Sequence, residues 1–487
     1  MGHSERGGQS IRGILVNWIR SVTPLSKMAS RASRASTAAA SAAVRPRGRD
    51  TPLGAAGAFE SSRRRTTLGG ARRDVAGFSS SSSSPTHVRR AIMDEVAEGV
   101  VADGTRPDGE VYSPAGFSGL EGKALLPKEY PKQPEVFRAL PRSVYKKDTK
   151  LSMSYAIMST SLVLALGIAA HVFIPLKLAF APLWAVYAAV QGTVATGCWV
   201  VAHECGHGAF SDNKKIQTGV GYVLHSLLLV PYFSWQRSHA IHHSRTNHLS
   251  EGETHVPEVG GGVKAEIYYT IREAVGSFAW MLINGFLHLV VGWPAYLLSG
   301  ATGGSKYGIT NHFIPVKPFS PALFPGKWRD KVWLSDVGVA STLALLGFWA
   351  YKAGSVLPVA ALYAGPLLFT NMWLVLYTWL QHTDVDVPHY ADDEWNWVKG
   401  TFLTIDRPYP KIIDYLHHRI GTTHVAHHVA HTIPHYHAQE ATECLKEAFP
   451  DLYLYDPTPI HKALYRIAKD CVAVRKVGDK YLFHKER

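Results

Sequence analysis

Four stretches of the chain stay apolar for the roughly twenty residues that a helix needs to cross a bilayer. They run over residues 152–174, 179–201, 332–352 and 357–380. The first pair is joined by "PLKLAF" and the second by "KAGSVLP", so each pair predicts a helical hairpin. Two further apolar runs are interrupted. Residues 216–235 carry internal Gly and Pro, and residues 276–300 carry Pro294 with Gly285 and Gly292. Both predict helices that lie in or dip into the membrane interface. The hairpin turns hold one lysine each, Lys177 and Lys352, whereas the segment before residue 151, the section 202–331 and the C-terminal tail are rich in Lys and Arg. Positive charge stays on the cytosolic side, which places both termini and the middle section there.

This pattern divides the chain. Residues 1–92 are basic and rich in Ser, Ala and Arg, with sixteen Lys/Arg against four acids in the first ninety. They have little to bury, so they read as a disordered extension. The start "IRGILVNWIRSV" adds a second reading, an organelle transit peptide. Residues 93–150 form a cytosolic segment ahead of the membrane. Residues 151–201 are the first hairpin, 202–331 a cytosolic and interfacial section, 332–380 the second hairpin, and 381–487 a cytosolic cap and tail. The fold class expected is an all-α membrane protein with four transmembrane helices, interfacial helices and a cytosolic helical cap.

Composition sharpens this only slightly. Thirteen Trp and 22 Tyr suit a protein with two membrane interfaces. A net charge of +13 raises nucleic acid or an anionic membrane as partner, but no nucleic-acid-binding motif accompanies it. Four scattered cysteines (Cys198, Cys205, Cys444, Cys471) fit neither a disulfide framework nor a C-x-x-C site.

Histidine changes the picture. Of 25, eight fall in three clusters: "HECGH" (His203, His207), "HAIHH" (His239, His242, His243) and "HVAHH" (His424, His427, His428). Spacings of three and four place the imidazoles of each cluster on one helix face. A single such histidine is more often structural than a ligand, but three clusters in one chain reverse that. The first cluster also matches H-E-x-x-H, a zinc-protease pattern with Glu204 as general base. That reading leaves the other two clusters idle. Zinc takes four ligands, whereas eight imidazoles suit two ions, and imidazole serves iron, copper, nickel or zinc. His382, where the fourth span meets the cytosol, is a ninth candidate. All clusters build one site only if an even number of crossings separates any two of them. The interrupted runs therefore do not cross alone.

These residues resemble the membrane fatty-acyl desaturases, a family marked by three histidine boxes, and most of all its delta-12 (oleate) branch. The resemblance covers roughly residues 120–475 and is densest in "HECGHGAFSDN", "HAIHHSRTNHLSEGETHVP", "LQHTDVDVPHY", "EWNWVKGTFLTIDRPY" and "THVAHHVAHTIPHYHAQEAT". It implies a dinuclear iron centre on His203, His207, His239, His242, His243, His382, His424, His427 and His428. Glu204 and Asp384 become acceptors for the N–H groups of ligand rings, while His225, His417, His418, His431, His435 and His437 are held structural. It also implies O2 as co-substrate, a phospholipid-linked acyl chain in an apolar tunnel, and an external electron donor. That donor is cytochrome b5 with its reductase at the endoplasmic reticulum, or ferredoxin in a plastid. The chain carries no haem-binding "HPGG" of its own. A homo-oligomer is compatible with all of this.

The resemblance leaves alternatives within one fold, namely an omega-3 desaturase and a diverged hydroxylase or acetylenase. One departure stands in the second box, where Ala240-Ile241 replaces the basic pair of many relatives.

Overall fold

The computed structural model describes residues 129–483. The extension 1–92, with its transit-peptide reading, and residues 93–128 lie outside them.

The chain enters through a short surface helix, α1 (Gln133–Arg138), and then rises into α2 (Thr149–Phe173). Asp148 starts α2 by accepting from the backbone N–H of Lys150 and Leu151. A turn leads into α3 (Ala181–His207), which ends at Gly208 with φ 82, a left-handed cap that costs glycine nothing. Two shorter helices follow, α4 (Lys214–Leu227) and α5 (Tyr232–Ser244), bent by 104° about the break between them. Pro231 sits at that break, where it cannot continue a helix.

Next come α6 (Val263–Phe286) and α7 (Gly292–Ser299), joined by a π-helical turn at Leu287–Val291. The second hairpin is α8 (Lys327–Ala353) and α9 (Gly365–Leu380), the latter led in by the helical residues 357–364. The remainder is a cap of short helices: α10 (Trp397–Phe402), α11 (Lys411–Leu416), α12 (His424–Val429), α13 (His435–Ala448) and α14 (Ile460–Asp470).

Among the described residues five helices are long and apolar enough to cross a membrane: Thr149–Phe173, Leu178–His207, Val263–Ser299, Lys327–Ala353 and Leu357–Leu380. The protein is a multi-pass membrane protein. Four of these are the expected hairpin helices. The fifth begins thirteen residues before the apolar run at 276–300, because a polar helix from Val263 abuts it at a kink on Gly276, whose φ 80 and ψ 158 are not helical.

The core sits on α3, whose second half is buried nearly throughout, from Gln191 to Cys205. It packs on α2, α4 and α9. At the crossing with α9, a Cβ on Gly192 would stand 2.4 Å from the Pro366 carbonyl and 2.5 Å from Phe369. Only glycine lets these backbones approach so closely. Large side chains on the outer faces of α2 and α8 stay exposed, among them Leu164, Phe173, Val337 and Leu345. In water such a surface would drive aggregation; in a bilayer it is the solvated face.

The fold is not purely helical. Two small sheets trim the cap: β1 (Ile405–Asp406) parallel to β2 (Leu454–Tyr455), and a hairpin of β3 (Val474–Val477) with β4 (Lys480–Phe483). The hairpin turns on Gly478-Asp479, a two-residue loop with Gly478 at φ 64.

Candidate metal centre

Each histidine cluster is delivered by a different element. His203 and His207 occupy the last turns of α3, His239, His242 and His243 one face of α5, and His424, His427 and His428 the short α12. His382 follows the end of α9 by two residues. Gly206, within the first cluster, explains part of the fit. A Cβ there would stand 2.5 Å from the Trp235 ring, so the glycine is what lets α5 dock against α3.

The nine side chains converge on two adjacent groups. His203, His207, His239, His243 and His427 place one ring nitrogen each within 4.8 Å of all the others, and His242, His382 and His428 do the same. His424 joins the second group, its Nε2 lying 3.2 Å from His382 Nε2. In the first group Nε2 of His203 is 2.9 Å from that of His239 and 3.2 Å from that of His207, and His239 and His243 are 3.2 Å apart. In the second, His242 and His382 are 3.1 Å apart. The groups touch where the rings of His243 and His428 stack at 4.1 Å.

These spacings fit a metal. An ion about 2.0–2.1 Å from each imidazole nitrogen puts neighbouring nitrogens about 2.9 Å apart at a right angle and about 3.3 Å apart at a tetrahedral one. The observed 2.9–3.2 Å falls within that range. Five imidazoles in one group also exceed the four ligands of a structural zinc. Nε2 of His427 and of His428 is buried without any hydrogen-bond partner, an arrangement that is costly unless the lone pair is used. Burial holds the rings neutral, pulling His242 down to about 4 and His424 to about 3. A neutral imidazole is the form that binds metal.

Which nitrogen faces the centre is set by what the other one touches. His424 Nδ1 donates to the Ile420 carbonyl at 3.1 Å, which leaves the Nε2 lone pair directed at His382. Thr246 donates its hydroxyl to the His242 carbonyl at 2.7 Å, so it accepts from His428 Nδ1 at 3.2 Å and again frees Nε2. Thr246 was not anticipated from the sequence.

The two carboxylates expected in this role lie elsewhere. Glu204 is one residue round the helix from His203 and accepts from the backbone N–H and the Nδ1 of His435, both at 2.6 Å. Asp384 is fully buried and paired with Arg407 at 2.9 Å and with Arg466, while its other oxygen also takes the Val385 N–H. Both brace the scaffold rather than a ligand ring. Asp406 does so as well: its oxygens accept from Val425 N at the start of α12 and from the Tyr453 hydroxyl, and burial raises its carboxyl to about 7.

The remaining histidines scatter through the surroundings. His225 is buried edge-on to Trp235, His417 bridges the Tyr377 hydroxyl and the Thr193 carbonyl, and His418 meets Ser159. His437 stands 3.9 Å from Glu440. His431 is set differently, its ring 4.9 Å from that of His207 and 5.2 Å from that of His243.

A narrow apolar cavity of about 40 Å³ reaches His239, walled by Trp199, Trp235, Trp293, Leu374 and Val375. His255, at φ 54, lines it with its Nε2 2.9 Å from the Thr378 hydroxyl. Glu253 is buried nearby beneath the Tyr296 hydroxyl, which donates to it at 2.6 Å, and desolvation pushes its carboxyl up to about 8.

A helical membrane core that delivers nine imidazoles in adjacent groups, seven of them buried and those of His207 and His427 half-buried, defines a membrane metalloprotein with an apolar cavity against the centre. The fatty acid desaturase family model matches residues 181–458. Over 345 residues the chain is 40% identical to the delta-12 fatty acid desaturase of Calendula officinalis, covering 70% of this chain and 87% of that one. It is also 40% identical over 317 residues to a delta-12 fatty acid desaturase of Mortierella alpina (62% and 77% of the two chains). Identity is 38% over 343 residues to the endoplasmic-reticulum omega-6 desaturase isozyme 2 of Glycine max (70% and 86%). The chain belongs to the fatty acid desaturase family. It is an oxidoreductase of lipid metabolism, and H-E-x-x-H here marks no protease.

Proposed function

We propose that this desaturase places a cis double bond at the delta-12 position of a phospholipid-linked oleoyl chain, giving linoleoyl. The observation that carries the metal chemistry is the pair of imidazole groups with nitrogens 2.9–3.2 Å apart. The regiochemistry rests on the delta-12 and omega-6 names of the relatives at 38–40% identity.

In this reading His203, His207, His239, His243 and His427 hold one iron, and His242, His382, His424 and His428 the other. Bound iron supplies O2 activation strong enough to take hydrogen from an unactivated methylene, which no side-chain base achieves. The chain's own residues do the rest. Trp199, Trp235, Trp293, Leu374 and Val375 exclude water and align the acyl chain past His239. Overall, two substrate hydrogens, two electrons and two protons reduce O2 to two waters. The electrons come from cytochrome b5 and its reductase at the endoplasmic reticulum, the location named for the Glycine max and Brassica juncea relatives. In a plastid the donor would be ferredoxin.

The same convergence supports four membrane crossings rather than five. His242 precedes Val263–Ser299 and His382 follows both helices of the second hairpin, yet their nitrogens are 3.1 Å apart. A crossing by Val263–Ser299 would make three between them, an odd number that leaves them on opposite sides. That helix therefore enters and returns or lies at the interface, as does the bent pair α4–α5. The middle section and the cap then share the cytosolic side with residues 129–150.

Expression in yeast that makes oleate but not linoleate tests the reading, with linoleate expected by gas chromatography and two irons per purified chain. Linolenate formed only from supplied linoleate would replace it with omega-3 activity, and a hydroxylated product with a diverged hydroxylase. One zinc per chain would overturn the metal assignment.

A further inference from the structure

A second cavity reaches the histidines and shares no lining residue with the acyl cavity. It measures about 220 Å³, against about 40 Å³ for the apolar one. A water occupies about 30 Å³ of the liquid, so this space holds several. Its inner wall is His243 and His428, one from each imidazole group, with His431 beside them. Its outer wall is the stacked pair Phe137 and Trp397, ring centroids 5.5 Å apart, where α1 lies on α10. Phe137 and Ala240 are both exposed, so the cavity opens to the surface. Ala240 lines the cavity from α5, exposed and one position round from the buried face that carries the box histidines, and its methyl group leaves the passage clear.

We propose that this cavity is the aqueous port of the metal centre, through which small water-borne ligands reach the ions and product water leaves, by a route separate from that of the acyl chain. Ala240 holds the port open and His431 narrows it. The inference rests on the reading that the nine histidines bind metal. The physical argument is one of partition. The smaller cavity offers a hydrocarbon mainly tryptophan and aliphatic wall, and its His255 and Thr378 are already bonded to each other at 2.9 Å. The larger cavity offers exposed polar edges, and it touches ligands of both groups at the place where these stack.

Azide is a suitable probe, since a small anion does not enter through lipid. Its binding to the metal-loaded protein in detergent is followed by stopped-flow absorbance, independently of turnover. A240W fills the passage, and azide association is expected to slow roughly tenfold or more, within the span over which mutants of one site alter association rates. H431A widens it and quickens association. V375W fills the apolar cavity, and azide should bind it at the wild-type rate. Equal rates in wild type, A240W and H431A overturn the port, as does slowing in V375W alone. If A240W fails to retain metal, H431A decides, and a rate equal to wild type overturns the proposal. A wild-type protein that binds no metal removes the reading beneath it and the port together.

Discussion

At the scale of single residues, position within a motif did not settle role. Glu204 sits inside H-E-x-x-H, where it reads as a base or as an acceptor for a ligand ring, and its carboxylate instead clamps His435. Thr246 carries no motif signal, yet it fixes which nitrogen of His428 is free. Glu253 is another residue whose chemistry comes from its surroundings. Its folded carboxyl is raised to about 8, so its stabilising contribution is full below its unfolded value of 4.5 and is lost as pH rises through 8. E253Q cannot ionise. The thermal midpoint of E253Q minus that of wild type is therefore expected to grow between pH 5 and pH 8 and to level off above; a constant difference across that range would contradict the burial of an uncharged acid.

Among elements, the short α12 is the least self-sufficient. Six residues form too little helix to persist alone, so its three histidines depend on what holds its ends. Asp406 accepts from its first turn, and the next residue, Arg407, is fully buried. Arg407 donates to the Leu380 carbonyl at 2.8 Å, pairs with Asp384 at 2.9 Å and contacts Asp456, while Arg466 joins both aspartates. This network ties the strand before the third box to the turn that carries His382. Removing one partner of a buried ion pair leaves charge without compensation and costs about 3–5 kcal/mol. R407A should therefore melt well below wild type in detergent and lose metal from the four-histidine group. Unchanged melting and full metal content would show that the network is dispensable.

For the whole molecule, the meeting of the boxes constrains topology more tightly than hydropathy does. Five helices satisfy length and composition, but only an even number of crossings between His242 and His382 allows their contact. Single cysteines placed at Lys177 and Lys352 should label from the lumenal side in sealed microsomes, and one placed at Lys306 from the cytosolic side. Lumenal labelling at Lys306 would mean that Val263–Ser299 is read wrongly here.

Much of this was legible in the chain itself. The two hairpins follow from the length of their apolar runs, because the bilayer fixes that length. Eight of the nine histidines follow from i, i+3, i+4 spacing, because a helix puts those positions on one face; His382 was marked only by its place at the end of the fourth apolar run. What the linear pattern does not contain is direction and company. In Val263–Ser299 a polar helix meets an apolar one at a kink on Gly276, and two small sheets appear because the cap closes on itself. His382, Thr246 and Asp406 are brought to the boxes from separate elements, over contacts that no local period encodes. The grouping of the imidazoles into five and three, with His424 against His382, was decided only by tertiary packing, where Gly206 lets Trp235 against α3 and the stacked His243 and His428 mark the seam between the groups.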